Sequence, residues 1–493
     1  MDAASLERAL AAWREALGPE AVVTGEALRH LQRTLRPVEP EACAALRPAD
    51  TEGVRAALAI AAAHGVTLHP VSRGLNWGYG AARPPRTAVI LSMERLDRIR
   101  NLDEDLAWVE LEAGVRFCDL DEALRACARD FLPVRTGGPA TGSVVGNTLV
   151  RGLGAGRVMD RAAEVLGLEV LLADGRLVRI PGGGPAGRAP LGPDLRGVFF
   201  QGALGVVTAM TLKVTPAPAL VRPFQFRLRD DAALVRFVDA LRPLQQSGVR
   251  MAIRAINDLH ELMMRGPYPF ADARRETPLP PRLRAALARR WGGARWAILG
   301  ELHADSEGEL AALEERMEIL MVEGAERFRW LEPVPGRALL ERSLRDGLAM
   351  VWWRHDGARA PDALPVDAPN GLVWVAPVLP HRGADVAEAS RLAEAVAAAH
   401  ALEASISLRF VDGRVLIAII GLVFDRAVEG ADANALAAHG ALSGALAAKG
   451  WTPYRPAVGA SSFRDADEHD LTDELRRALD PVGLLARSTD RGP

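Results

Sequence analysis

Cysteine is nearly absent: Cys43, Cys118 and Cys127 are the only three in 493 residues. Three scattered thiols can build neither a disulfide framework nor a cysteine zinc site, and they suit a reducing compartment, so a cytoplasmic location is expected. The ten histidines show neither HxxxH nor HxH spacing, which leaves no metal site to predict. No stretch approaches the roughly 18 uncharged apolar residues of a membrane span. The longest candidate, 415–424, is short enough for a buried strand. Residues 1–18 carry charges throughout and read as an amphipathic helix rather than a signal peptide. A formal net charge of −3 supplies no global basic field, so neither nucleic acid nor a membrane surface is an expected partner. Tyrosine is scarce as well: Tyr79, Tyr268 and Tyr454 are the only three.

Glycine, by contrast, is concentrated in two places. The run 133–156 interleaves it with Ser, Thr and Asn, and a second run of the same character covers 70–80. Glycine lets backbone approach a ligand closely and turn successive N–H groups into one concavity that favours an anion. Two such loops suit a long, polar, diphosphate-containing cofactor. The composition, 49% apolar and 25% charged, is that of an ordinary globular protein, and the length calls for two or three domains.

Hydrophobic periodicity predicts a helix over 51–64 ending at Gly65, then a strand over 66–71 that leads into the first glycine loop. Strands follow at 89–91 and 107–112, with a helix at 119–127 before the second loop. Segments 164–172 and 177–180 read as a hairpin, and 205–214 as a strand closed by Pro216 and Pro218. Residues 183–197 read as an exposed loop. Beyond the proline break, strands at 224–228, 251–256, 296–303, 372–377 and 415–424 alternate with helices at 231–241, 307–323 and 386–400, and 265–290 reads as loop and short helix. The fold class is therefore α+β, with 1–220 as one domain, 221–445 as a second built on a mixed sheet, and 446–493 returning to the first. No internal repeat is evident.

These motifs resemble flavoproteins of the vanillyl-alcohol oxidase and 4-cresol dehydrogenase family. Segment 72–80 looks like that family's first FAD loop and 142–152 like its second. Segment 167–175 is similar to the strand that follows, and 191–208 to the last FAD-contacting segment. Segments 351–354, 450–455 and 479–485 also fit in order. The resemblance implies a PCMH-type FAD-binding domain formed by both chain ends, with a cap domain over the flavin ring. It assigns FAD contacts to Val71, Ser72, Arg73, Gly74, Leu75, Asn76 and Gly78; to Gly137, Gly138, Pro139, Gly142, Ser143, Gly146, Asn147, Thr148, Arg151 and Gly152; and to Gly205, Val206 and Val207.

Two of the three tyrosines fall in these motifs. In relatives that oxidise para-substituted phenols, a Tyr, Tyr, Arg trio at the positions of Tyr79, Tyr454 and Arg455 holds the substrate's phenolate oxygen. A phenol of pKa about 10 donates electrons poorly until it is ionised, and a guanidinium with two hydroxyl donors favours its anion. Hydride can then leave the para-benzylic carbon for flavin N5, giving a quinone methide. A lone tyrosine is more often a packed aromatic, but two motif positions in so tyrosine-poor a chain point to function.

The departures from the family pattern matter equally. No nucleophilic side chain stands at 417–424, where relatives attach their flavin, so the FAD is expected to be non-covalent. Residues 131–147 hold no Asp or Glu where relatives place an acid near the reacting carbon, and Ala155 replaces a tyrosine. Hydration of a quinone methide wants a general base, so a larger pocket and another outcome are expected. One is loss of CO₂ from a carboxylate on the carbon beside the benzylic position, which leaves a vinyl group. Arg135, Arg157, Arg354 and His355 are candidate seats for that carboxylate, and Trp353 a candidate pocket wall. Desaturation and benzylic hydroxylation stay open. So do an alcohol or sugar oxidase of the same fold and a catalytically silent flavin-binding subunit. A homodimer is a further expectation from the resemblance.

Overall fold

The structure is a computed structural model that describes residues 2–39, 42–80, 82–180, 192–266, 268–269, 278–290, 292–341, 348–354, 359, 363–458 and 466–486. The helix Thr51–His64 shows why the first prediction succeeds. The Asp50 carboxylate accepts from the Gly53 N–H at 2.8 Å, and Gly65 ends the helix in the left-handed conformation. The chain then enters the strand Leu68–Val71, an edge of a four-stranded sheet whose other members are Ala88–Ser92, Ala42–Leu46 and Val22–Val23. The first three of these strands run parallel.

That edge is covered by the far end of the chain. The Leu68 N–H donates to the Leu484 carbonyl at 2.8 Å, and the Ala486 N–H donates to the Leu68 carbonyl at 2.7 Å. The Asp480 carboxylate accepts from the N–H groups of Leu484 and Leu485 at 2.8 Å each and so shapes the approach. Beside this sheet lies an antiparallel one in the order Ile99–Asp103, Trp108–Glu112, Val206–Lys213, Val165–Leu171, Leu177–Ile180. The two share one core, which also takes in Leu484 and Leu485.

The middle of the chain forms a nine-stranded sheet with its own core. The mixed sheet expected here is antiparallel at every pairing among the described residues. The reason is topological. Leu220–Leu228 crosses over through the helix Asp231–Gln246 to Met251–Asn257, but the next strand, Trp296–Ala304, inserts between them. Asn370–Val375, the helix Gly383–Ala399, Glu403–Phe410 and Val415–Asp425 repeat that arrangement, with the last strand again filling the gap. Crossover partners are therefore never neighbours. One β-α-β-β topology occurs twice without a repeat in the sequence, and the two copies meet where Met251–Asn257 pairs with Glu403–Phe410.

One face of this sheet packs under helices through Ile253, Ala255, Ile298, Ile406, Leu408 and Ile420. By alternation, the other face carries Arg254, Glu301, His303, Trp374, Ser407, Arg409, Ile417 and Gly421, and it looks toward the glycine loops. Some lengths differ from expectation. The helix predicted over 307–323 stops at Arg316, with a 3-10 turn at Met317–Leu320 ahead of Gly324 (φ 87°). Strands Ala325–Trp330 and Glu403–Phe410 and helices Ala431–Ala447 and Ala466–Leu479 add to the predicted set. Parts of two predicted loops, 183–191 and 270–277, lie outside the described residues. No described helix is long and apolar enough to cross a membrane.

Leu485 is 1% exposed and Val482 is 76% exposed, three residues apart on the returning segment. Leu485→Ala is expected to lower unfolding free energy by about 2–4 kcal/mol. Val482→Ala should stay within about 0.5 kcal/mol of the parent, as chemical denaturation would show.

Candidate active site

The two motif tyrosines and Arg455 come together although they are separated by some three-quarters of the chain. The strand Asn370–Val375 and the bridge between Pro377 and Pro453 set the backbone, with the Tyr454 N–H donating to the Ala376 carbonyl at 3.1 Å. The Val458 N–H donates to the Tyr79 carbonyl at 3.0 Å and closes the loop onto the first glycine run. The Arg455 guanidinium carbon then lies 3.9 Å from the centre of the Tyr79 ring, a close cation–π stack. The rings of Tyr79 and Tyr454 meet edge to face at 6.5 Å and 82°. Arg455 is also held by Asn76, whose amide oxygen, facing the guanidinium, accepts from both Nη atoms, at 2.8 Å from Nη1.

Electrostatics favour an anion at this spot. Burial, and then the interaction with Tyr454, push the Tyr79 hydroxyl well above its usual pKa, while Arg455 and Arg36 pull the other way. Tyr79 therefore stays a neutral donor. Arg36 is buried and drops to about 10 through desolvation, with Tyr79 opposing the shift. Its Nε donates to the Val458 carbonyl at 3.1 Å and its Nη1 is buried without a partner. Arg161, also lowered to about 10 by burial, is supported by Tyr454. Gln201 fixes the Tyr454 carbonyl with its side-chain amide at 2.8 Å. Arg36, Arg161 and Gln201 escape sequence reading, since arginine supplies nearly all of the chain's 60 basic residues and no motif marks these.

The glycine loops sort into packed and open positions. A Cβ on Gly146 would come within 2.6 Å of Ser72 Oγ, so the short helix Val144–Leu149 and the first loop touch. A Cβ on Gly78 would fall 2.2 Å from the Trp374 indole, whose other side meets Gly421, so this glycine admits the cap. Gly137 faces open space and Gly138 meets only Thr136. The Gly142 N–H donates to the Pro139 carbonyl at 2.9 Å. The Ser143 hydroxyl accepts from the Gly146 N–H at 2.9 Å and donates to the Ala113 carbonyl at 2.6 Å. Arg73 ties the first loop to the carbonyls of Glu94 and Gly114, at 3.1 and 3.3 Å. Arg161 does the same for the second, donating to the carbonyls of Arg135 and Gly152 at 2.9 Å each and to the Asn147 amide oxygen. Thr148 is buried and bonds back to the Val144 carbonyl, and the Arg151 guanidinium lies 5.6 Å over Phe200. Val71 ends its strand, Leu75 packs on the cluster around Trp77, and Gly74 has a φ of 65°. Gly205, whose Cβ would meet Val170 at 2.6 Å, precedes Val206 and Val207, both buried in the core.

Two of the three arginines considered as carboxylate seats are already engaged. Arg135 Nε donates to the buried Asp121 at 3.0 Å and its Nη2 to the Leu340 carbonyl at 3.0 Å. Arg354 pairs with the buried Glu403 at 2.7 Å and lies 4.2 Å over the Tyr268 ring, with Trp353 edge-on to that ring at 5.0 Å. His355 lies outside the described residues. Arg157 lines a cavity of about 160 Å³ between the second loop and the inner face of the cap sheet, together with Ala155, Arg161, Glu301 and His303. No group of three or more His, Cys, Asp or Glu side chains able to hold a metal occurs among the described residues.

Comparison with known proteins places this geometry. Residues 42–181, which include both glycine loops, match the model of an FAD-binding domain. The chain is 34% identical to the 1'-carboxy-chondrochloren decarboxylase of Chondromyces crocatus over 530 residues, covering 99% of this chain and 97% of that one. It is 31% identical to the 4-cresol dehydrogenase (hydroxylating) flavoprotein subunit of Pseudomonas putida over 49% of this chain and 48% of that one. The chain belongs to the vanillyl-alcohol oxidase and 4-cresol dehydrogenase family. As a member of that family it is an FAD-dependent oxidoreductase. Its fold superposes on p-cresol methylhydroxylase with a TM-score of 0.89 at 22% identity, covering 99% and 96% of the two chains. It also superposes on the 4-ethylphenol oxidase of Gulosibacter chungangensis with a TM-score of 0.85 at 24% identity, covering 99% and 97%. The open Gly137 and Gly138, facing a loop system pinned by Arg73 and Arg161, fit the cofactor of this flavoprotein family.

Arg135 offers a test of its structural role. Desolvation raises the Asp121 carboxyl and Arg135 counters it. Arg135→Met is expected to cost about 3–5 kcal/mol of stability by leaving a buried charge unpaired. Adding Asp121→Asn should recover most of that loss in thermal unfolding.

Proposed function

We propose that the enzyme oxidises a para-alkyl phenol whose phenolate oxygen sits between Tyr79, Tyr454 and Arg455, and that a carboxylate beside the benzylic carbon leaves as CO₂. The single observation that carries this reading is the Arg455 guanidinium stacked on a neutral, buried Tyr79 and held by Asn76. A fixed cation and two hydroxyls stabilise a phenolate far better than a phenol, and they are preorganised, so little reorganisation accompanies the reaction. Arg36 adds positive potential at Tyr79 and Arg161 at Tyr454. FAD, when bound, supplies the hydride acceptor.

The chain's own part is to ionise, orient and keep dry. Ionised substrate has the electron density to release hydride from its benzylic carbon, which turns the ring into a quinone methide. The charge returns to the phenolate oxygen when the bond to the carboxyl carbon breaks and its electron pair becomes the vinyl double bond. No acid or base takes part in that last step, in keeping with the absence of Asp and Glu from 131–147. Ala155 and the cavity it lines leave room for a substrate with a bulky substituent. The full-length likeness to a decarboxylase supports this branch over hydration. The same reading includes dissociable FAD, the division at 220 and 445, and a homodimer.

Tyr454→Phe and Arg455→Met are each expected to slow anaerobic flavin reduction by 4-alkylphenols on the order of 10²-fold. Unchanged rates would remove the phenolate anchor. Reduction by non-phenolic alcohols in both variants would identify an alcohol oxidase instead. Acid precipitation should leave the flavin in the supernatant, whereas flavin in the pellet would show a covalent link.

A further inference from the structure

The seam of the cap sheet carries an arrangement that the phenolate anchor does not use. Where the two β-α-β-β units meet, Arg254 stands directly opposite Arg409, and Ile256 opposite Ser407. All four point away from the core formed by Ile253, Ala255, Ile406 and Leu408, on the face that meets the first glycine loop at Trp374 and the helix Asp258–Arg265 at Ser405. Like charges at directly opposed positions of an antiparallel pair repel, and both arginines also bear on His260, which burial and that positive field hold at about 3. Arg409 is lowered to about 9 by burial and by Arg254, and it makes no hydrogen bond or ion pair among the described residues. Two residues along the same face, the Ser407 hydroxyl is 2% exposed and equally without a partner. Their neighbours across the next strand are Ile417 and Ile419. A guanidinium and a hydroxyl, both unsatisfied and walled by isoleucine, form a site that an anion would complete.

We infer that Arg409 and Ser407, with Arg254 opposite, seat the carboxylate of the substrate. The inference rests on the phenolic reading given above and identifies the substrate class as a 4-hydroxyphenyl compound bearing a carboxylate on the carbon next to the benzylic one. Register supports the placement. Ile417 and Ile419 lie on the strand Val415–Asp425, which pairs with Val375 and Val378, and the Tyr454 N–H bonds the carbonyl of Ala376 between them. The backbones of the phenol anchor and the anion seat are thus three strand spacings apart, roughly 14 Å, a gap that the long Arg409 and Arg455 side chains span together with a phenyl ring and a two-carbon arm. Glu301 and His303, which line the cavity behind Ala155, are on the same face one strand beyond Arg254.

The seat orients the bond that breaks. The benzylic carbon loses hydride, for which FAD, when bound, would be the acceptor. The bond to the carboxyl carbon then cleaves, its pair forms the vinyl double bond, the ring becomes aromatic, and the negative charge moves from the carboxylate to the phenolate oxygen. Charge leaves the seat at Arg409 and arrives at the phenolate anchor beside Arg455.

The test compares two probes on the holoenzyme: 3-(4-hydroxyphenyl)propanoate and 4-ethylphenol, which lacks only the carboxylate. Half-saturation concentrations for anaerobic flavin reduction are measured in the parent, in Arg409→Gln and in Ser407→Ala. Arg409→Gln is expected to raise the ratio of the propanoate value to the ethylphenol value by at least roughly 10-fold, the loss of a charge-assisted bond. Ser407→Ala should raise it several-fold, and it serves if the arginine variant does not fold. An unchanged ratio in both overturns the proposal. So does release of flavin, or a shifted flavin spectrum, before any phenol is added, since the guanidinium then serves the cofactor. If neither probe reduces the parent, the phenolic reading fails. Titration of propanoate against the flavin absorbance then judges the seat alone: weaker binding by Arg409→Gln upholds it, and equal binding overturns it.

Discussion

The contact on which the rest of the site depends is the stack of Arg455 on Tyr79. It requires the first glycine loop, the edge of the cap sheet and the C-terminal segment to converge on one point. Each convergence has its own backbone bond: Tyr454 to Ala376, Val458 to Tyr79, and Ala486 to Leu68. A guanidinium buried this deeply needs acceptors, and Asn76 provides one from within the loop that presents Tyr79. The residue that holds the cation and the residue that stacks on it therefore move together. That coupling turns two flexible motifs, a glycine loop and a chain terminus, into a preorganised pair.

Buried arginine recurs as the device that stiffens the glycine-rich backbone. Arg73 and Arg161 direct their forks at carbonyl groups rather than carboxylates. A carbonyl fixes the main chain itself, which glycine otherwise leaves loose. The second benefit is electrostatic. Arg36, Arg161 and Arg455 make no ion pair with a carboxylate among the described residues, and their guanidinium groups bear on the tyrosines. Where neutralisation does occur, as with Arg135 and Asp121 or Arg354 and Glu403, the arginine is a structural part of the wall.

Legibility in the sequence follows scarcity. With only three tyrosines in the chain, Tyr79 and Tyr454 are conspicuous, and glycine density alone marks both loops. Helix Thr51–His64 is legible because its cap and its stop are both local. Partner choice is not. Whether an arginine meets Asp121, a carbonyl or nothing depends on strands far apart in the chain, and one basic residue type dominates the composition. Strand Glu403–Phe410 alternates polar and apolar residues, a period-two signal that the sequence reading leaves unassigned. Its polar members are the ones that face the cleft. The doubled β-α-β-β topology has no counterpart in the residues at all, since packing constrains the apolar pattern and leaves residue identity free.

On the proposed reading, the absence of Asp and Glu from 131–147 acquires a physical sense from the field of this cleft. A quinone methide can be trapped by water only if something removes a proton, and a carboxylate there would perform that task. It would also place a negative charge close to the anionic end of a carboxylated substrate. At an effective dielectric of about 20, two like charges 4 Å apart repel by about 4 kcal/mol. On that reading, a loop that must admit a carboxylate is better without an acid of its own, and the same departure removes the competing hydration. In the proposed reaction, one feature of the glycine loop, the lack of an acid, serves both binding and outcome. The cationic seam of the cap sheet supplies the complementary half of that field.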